Sequence, residues 1–244
     1  MSTKGSIKVF ESDSALATGV ADFIITDAQA AIGERGRYSL VLSGGNTPES
    51  LFKLLAKPPY ADALDWSKVH IFWGDERAVP LDDERNNAHV AIGLWLDHIS
   101  IPAANVHRIP SDMPTQQAAR EYEDTIRKYF AGGAIAFDLV LLGLGPDGHT
   151  ASLFPHSPLL AEKDAIVTAG FIPAQNMDRI TMTVSLINDA HKVVFLVAGK
   201  AKATILQHVI QDAPAQHAYP AKMINPHSGG LYWFIDRAAA AQLL

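Results

Sequence analysis

The 244 residues are 48% hydrophobic, carry a formal net charge of −6 and include no cysteine. That composition suits a globular chain long enough for one large α/β core, and it excludes disulfides, thiolate nucleophiles and cysteine-held metal centres. An acidic balance gives no footprint for nucleic acid, so any anionic ligand must be gripped by a few local Arg and Lys side chains.

Residues 1–12 hold no apolar signal core, and no apolar run approaches the roughly 18 residues of a membrane span. The expected compartment is the cytoplasm, with no membrane partner. Low-complexity tracts, repeats and linker-like shifts are absent, so 1–244 reads as a single domain.

In chain order, Ile7-Lys8-Val9-Phe10 reads as a first strand. Ser12 or Asp13 caps a helix that buries Leu16, Val20, Phe23, Ile24 and Ala31 and ends at Gly33 and Gly36. The buried strand Tyr38-Ser39-Leu40-Val41-Leu42 runs into Ser43-Gly44-Gly45-Asn46-Thr47-Pro48. Here Thr47 fits the cap and Pro48 the first position of a helix with Leu51, Leu54 and Leu55 inward. A strand, a glycine turn and a helix N-terminus together present unpaired N–H groups to an anion. The plain alternative is a tight turn that needs its glycines for shape alone.

Val69-His70-Ile71-Phe72-Trp73 is a further strand, followed by Gly74-Asp75-Glu76-Arg77-Ala78-Val79-Pro80. Taken alone, Asp75, Glu76 and Arg77 read as a solvated loop, although open α/β sheets bind ligands at such strand exits. Arg85-Asn86-Asn87 caps a helix bearing Val90, Leu94 and Trp95, Val106-His107-Arg108 suggests a short strand, and Thr115 opens an amphipathic helix. Later strands are expected at 165–168, 179–184, 192–198 and 231–235. Ser185 is expected to cap a short helix and Asp236 the last one. Strand–helix alternation predicts an α/β fold with a mostly parallel, Rossmann-like sheet.

The densest chemistry lies in Leu139-Val140-Leu141-Leu142-Gly143-Leu144-Gly145-Pro146-Asp147-Gly148-His149-Thr150-Ala151-Ser152-Leu153-Phe154-Pro155. An apolar strand empties into a glycine-rich turn carrying an Asp-Gly-His triplet. Histidine suits proton transfer at neutral pH, which makes His149 the candidate base. Small residues after it predict a short helix whose N-terminus would keep the ring neutral. Asp147 either orients the ring or caps that turn. A structural role is the alternative for His149, one of ten histidines. No His-Glu-x-x-His or comparable spacing occurs, so no metal is expected.

Four separated motifs, read together, resemble the 6-phosphogluconolactonase family: Ser43 through Pro48, Gly74 through Pro80, Gly143 through Pro155, and Arg179-Ile180-Thr181-Met182-Thr183. The Gly199-Lys200-Ala201-Lys202 segment and the Trp233-Phe234-x-Asp236 tail fit as well, so the resemblance covers nearly the whole chain. Asn46 and Asn86 stand where that family more often has Ser. The resemblance implies a three-layer α/β/α sandwich, shared with enzymes of the glucosamine-6-phosphate deaminase type. It implies a hydrolase without metal or cofactor that opens 6-phospho-D-glucono-1,5-lactone in the oxidative pentose phosphate pathway. It also implies that Arg77, Arg179 and Lys202 bind the phosphate, with Ser43, Gly44 and Gly45 supplying further contacts; Lys200 is the alternative to Lys202. The expected partner is thus a small sugar-phosphate lactone, and the expected state a monomer or weak homo-oligomer.

Two other readings stand beside it. An amino-sugar-phosphate isomerase/deaminase typically has Asp-Glu-Tyr where this chain has Asp75-Glu76-Arg77. A non-catalytic sugar-phosphate sensor would share the fold and bind without turnover.

Overall fold

The computed structural model describes residues 5–211 and 218–243. Its elements are β1 (Ser6–Phe10), α1 (Asp13–Arg35), β2 (Tyr38–Leu42), α2 (Asn46–Leu55), β3 (Val69–Trp73), β4 (Asp75–Arg77), α3 (Asn87–Leu94), α4 (Thr115–Tyr129), β5 (Leu139–Gly143), β6 (Val167–Ile172), β7 (Met177–Met182), α5 (Val184–Asn188), β8 (Lys192–Val197), α6 (Ala203–Gln211) and β9 (Gly230–Asp236). Six strands form one sheet in the order β1-β9-β8-β5-β2-β3. Every pairing in it is parallel. Helices flank this sheet in a three-layer α/β/α arrangement.

The inner strands are apolar along their length, as strands covered on both faces must be. Tyr38, Leu40, Val41 and Leu42 of β2 are buried together with Leu139, Val140 and Leu141 of β5 and Val193, Val194 and Phe195 of β8. The edge strand β1 is largely exposed, and its partner is β9, the last strand among the described residues.

Helix α1 is long and apolar enough, by length and composition alone, to cross a membrane. That corrects the expectation that no segment approaches such a size. Its Leu16, Val20, Ala21, Ile24 and Ala28 are buried in the hydrophobic core. Buried Asp27 also ties it to the sheet, accepting bonds from Tyr38 Oη at 3.0 Å and Lys192 Nζ at 2.5 Å. This is a core helix.

Several local expectations are corrected by side-chain chemistry. Ser12 caps α1, but the helix runs through Gly33 and stops at Gly36, whose φ of 76° is left-handed. Helix α2 starts at Asn46 after Gly45, not at Pro48. Thr183 rather than Ser185 caps α5, accepting from Leu186 N. Val106 makes only a bridge to Ile71, not a strand.

The main topological correction concerns residues 75–77. They do not form a solvated loop but the edge of a second, antiparallel sheet in the order β4-β7-β6. Gly74 joins the two sheets: its N–H donates to Leu42 O at 3.0 Å and its carbonyl accepts from Met182 N at 2.8 Å.

Beneath β3, His70 Nδ1 lies 3.1 Å from His107 Nε2, and the His107 ring stacks on Phe72 at 4.3 Å. Burial, with some help from His70, holds His107 down at about 4; burial and Arg37 also lower His70. The unfolded chain takes up these protons near the ordinary histidine value of about 6.5, before the folded one does. Stability from this pair is therefore complete above about pH 6.5 and drains away as pH falls towards 4. His107→Gln should flatten the dependence of Tm on pH across that window. An unchanged slope would show that other groups govern it.

Candidate active site

Because β2, β3, β5 and β8 run parallel, the loops after them emerge on the same side. From β2 the chain proceeds outward to β3, whereas β5, β8 and β9 build the other way. The loops leaving β2 and β5 therefore part from one another, opening the crevice at which doubly wound sheets bind ligands. A cleft of about 280 Å³ lies there.

Ser43, Gly44, Gly45, Arg77, His149, Arg179 and Lys202 all line it. Lys200 is not among the lining residues. Asp147 stands behind His149. A further space of about 370 Å³ adjoins the cleft and shares Gly44, Gly45, Asn46, Arg77, Asn87, Gln175 and Arg179 with it.

The loop bearing His149 is a chain of turns. No helix follows β5, contrary to expectation, because residues 144–157 close on themselves through local bonds. Gly145 N donates to His149 O at 2.8 Å, Gly148 N to Gly145 O at 3.1 Å, and Thr150 Oγ1 to Gly143 O at 2.9 Å. Two glycines are sterically required. A Cβ on Gly145 would lie 2.0 Å from His149 Nδ1, and Gly148 adopts φ 81° with Tyr219 packed against it.

With no helix terminus beside it, the ring is oriented by side chains. Asp147 Oδ1 lies 2.5 Å from His149 Nδ1 and also accepts the His149 backbone N–H at 3.2 Å. One carboxylate therefore both orients the ring and holds the turn. Burial pushes Asp147 upward, but the bonds and charge of His149 outweigh it and keep the carboxyl below its usual value. On its other side the imidazole stacks on Phe154, centroids 4.1 Å apart. With Nδ1–H given to Asp147, Nε2 is left as a lone pair. The imidazole side chain is 23% exposed and reaches the cleft.

The cationic side of the cleft comes from the antiparallel sheet. In the β4–β7 register Arg77 stands directly opposite Arg179, a relation that brings Cβ atoms to about 5 Å. Like charges so placed repel. Arg179 is only 8% exposed, and its Nε is buried without a hydrogen-bond acceptor. Burial lowers its pKa, Arg77 lowers it further, and Asp75 and Glu76 oppose them. A buried donor with no acceptor, facing a second guanidinium, is a site for an anion.

Two more elements add donors. Gly45 precedes α2 with no side-chain cap, and Asn46, Thr47 and Pro48 line the cleft, so the uncapped start of α2 lies at its wall. Lys202 ends a 3-10 turn that follows Gly199, whose N–H donates to both Asp236 carboxylate oxygens at 3.0–3.1 Å. Its Nζ donates to Leu144 O at 2.7 Å, linking it to the loop of His149. Burial lowers its pKa against the pull of Asp147.

Sequence reasoning missed Asp75 and Asn87 as cleft residues. Asp75 Oδ2 accepts from Ser152 Oγ at 2.6 Å, and Asn87 Oδ1 accepts from Arg77 Nη1 at 2.5 Å. From sequence, Asn87 reads as a helix-start residue and as an Asn that the resembled family shares. No sequence signal marks it as a brace for an arginine ten positions away. Among the described residues no three His, Asp or Glu side chains are grouped to hold a metal ion.

A family model described as glucosamine-6-phosphate isomerases/6-phosphogluconolactonase matches residues 11–233. The chain belongs to this family. It is 44% identical over 224 residues to a 6-phosphogluconolactonase of Synechocystis sp., covering 90% of each chain. It is 40% identical to a 6-phosphogluconolactonase of Nostoc sp., covering 98% of this chain and 99% of that one. The solved 6-phosphogluconolactonase from Trypanosoma cruzi superposes with a TM-score of 0.88 at 29% identity, over 100% of this chain and 98% of the other. The span matched by the family model takes in every residue that lines the cleft.

Proposed function

We propose that this family member hydrolyses 6-phospho-D-glucono-1,5-lactone to 6-phosphogluconate in the oxidative pentose phosphate pathway, with 1–244 acting as one unit. The observation that carries the reading is the facing pair Arg77 and Arg179, with an unsatisfied buried Nε, in the same cleft as His149, whose ring Asp147 holds. A phosphorylated substrate answers the first and an electrophilic carbonyl the second. Support for the substrate itself comes from the names of the relatives.

In this reading the phosphate sits between Arg77 and Arg179. Lys202, Ser43, Gly44, Gly45 and the N–H groups of α2 add donors. Binding at that end leaves C1 of the lactone at His149. The Nε2 lone pair takes a proton from water as its oxygen bonds to C1. Asp147 stabilises the imidazolium that forms. When the tetrahedral oxyanion collapses, the bond from C1 to the ring oxygen breaks and His149 returns the proton to that oxygen. One water is consumed, and the base ends as it began. No cofactor is required, and the acid product sheds its proton to solvent.

The test is a coupled assay. Glucose-6-phosphate dehydrogenase generates the lactone in situ, and its disappearance is followed with and without this protein. Enzyme-dependent loss that survives exhaustive chelation is expected. Turnover no faster than spontaneous hydrolysis would leave a binding protein, and ammonia release from glucosamine 6-phosphate would point to the deaminase reading.

A further inference from the structure

We infer that Glu76 and Asn87 are positioning residues that hold Arg77 opposite Arg179, so that Glu76, which touches no substrate, sets the affinity for the phosphate end. The inference rests on the function proposed above.

Arg77 lies at the end of β4, a strand of only three residues at the edge of its sheet. A guanidinium facing another would swing away unless restrained. Restraint comes from two directions. Its Nη1 donates to Asn87 Oδ1 and, at 2.8 Å, to Arg85 O. Its backbone N–H donates to Glu76 Oε1 at 2.9 Å.

Glu76 is 1% exposed and points away from the cleft into the start of α3. Its Oε1 also accepts from Asn87 N at 2.8 Å, and its Oε2 from Ala88 N at 3.0 Å. A single carboxylate thereby closes the first turn of α3 and clamps it to β4. A carboxylate at a helix N-terminus is in its favourable place. Asn87, carried on that same turn, adds a bond from Nδ2 to Asp75 O at 2.9 Å. It also lies so close to the phosphate turn that a Cβ on Gly44 would stand 1.8 Å from its Oδ1. The sequence Glu76, start of α3, Asn87, Arg77 is therefore a continuous chain of bonds from a buried carboxylate to a cleft guanidinium.

The environment of Glu76 makes this chain sensitive to pH. Burial raises its pKa to about 7 against the three N–H bonds, and Asp75 adds to the rise. The other charged or titratable groups around it are Arg77 on β4, Arg179 on β7 and Tyr122 on α4. Below about pH 7 the carboxyl is neutral and accepts those N–H bonds less strongly; above it the clamp is at full strength.

Glu76→Gln and Asn87→Ala are to be compared with wild type on 6-phosphogluconolactone and on unphosphorylated gluconolactone between pH 6 and 8. Glu76→Gln should raise KM for the phosphorylated lactone about tenfold, the size of one lost charge-assisted bond. Its kcat should stay within about threefold of wild type, with no change on the unphosphorylated lactone. The fall of wild-type KM with rising pH should shrink to the part due to the phosphate's own ionisation near pH 6. Asn87→Ala should show the same split, which keeps the inference testable if Glu76→Gln does not fold. Equal losses on both lactones, or a fall in kcat with KM unchanged, would overturn it. A wild type that does not prefer the phosphorylated lactone would overturn the proposed function as well. Preference kept by wild type and by both variants would overturn this inference alone.

Discussion

His149→Ala is expected to lower kcat by roughly 10²–10⁴, the usual contribution of a positioned general base, with KM and Tm close to wild type. The ring reaches the cleft with one nitrogen committed to Asp147. Removing it takes away the only group in this scheme that accepts the proton of the attacking water. The fold should tolerate the change, because the loop is closed by backbone and Thr150 bonds that do not involve the imidazole. The main packing loss is the stack on Phe154. Steady-state kinetics with the phosphorylated lactone and a thermal melt check both halves. Near-normal kcat in a natively stable variant would end the assignment, and the Asp147–His149 pair would then be a structural staple of the turn.

Arg179→Met should raise KM for 6-phosphogluconolactone by about 10–100-fold, the range of one or two charge-assisted hydrogen bonds, while leaving the unphosphorylated lactone almost unaffected. Methionine preserves much of the buried stem. It removes a guanidinium that is desolvated, repelled by Arg77 and left with an unsatisfied Nε. Its partial counterweights are Asp75 and Glu76. Tm is therefore expected to hold or rise as binding fails, the trade between stability and activity found at functional sites. Equal loss on both lactones would show that Arg179 shapes the cleft rather than gripping phosphate.

These two residues differ in how visible they were from sequence. Asp147-Gly148-His149 was legible because strand, glycine turn and titratable pair are contiguous, and because the apolar runs of β2, β3, β5 and β8 fix where the loops emerge. The alternation of strands and helices likewise gave the parallel sheet. Strands near β6 and β7 were legible, but not β4 or the second sheet that the three form. Asp75-Glu76-Arg77 is too short and too charged to read as a strand, and its burial depends on partners 11 to 102 positions away: Asn87 N for Glu76, Ser152 Oγ for Asp75 and Arg179 opposite Arg77 across the ladder. Nor does helix periodicity reveal that small residues after His149 make turns. There Gly148 at positive φ and the Asp147 bond to the His149 N–H override propensity.

The pairing of β1 with β9 has a consequence for how the protein is made. Strand β1 has no place in the sheet until β9 is made, since β9 lies between it and β8. The same late strand supplies Asp236, which pins the Gly199 turn from which Lys202 enters the cleft. Strands β2, β3 and β5 pair with one another without β9, yet the cleft is not complete until β9 is in place. A chain cut short before β9 would therefore keep the loop of His149 but lose the anchor of the turn that carries Lys202.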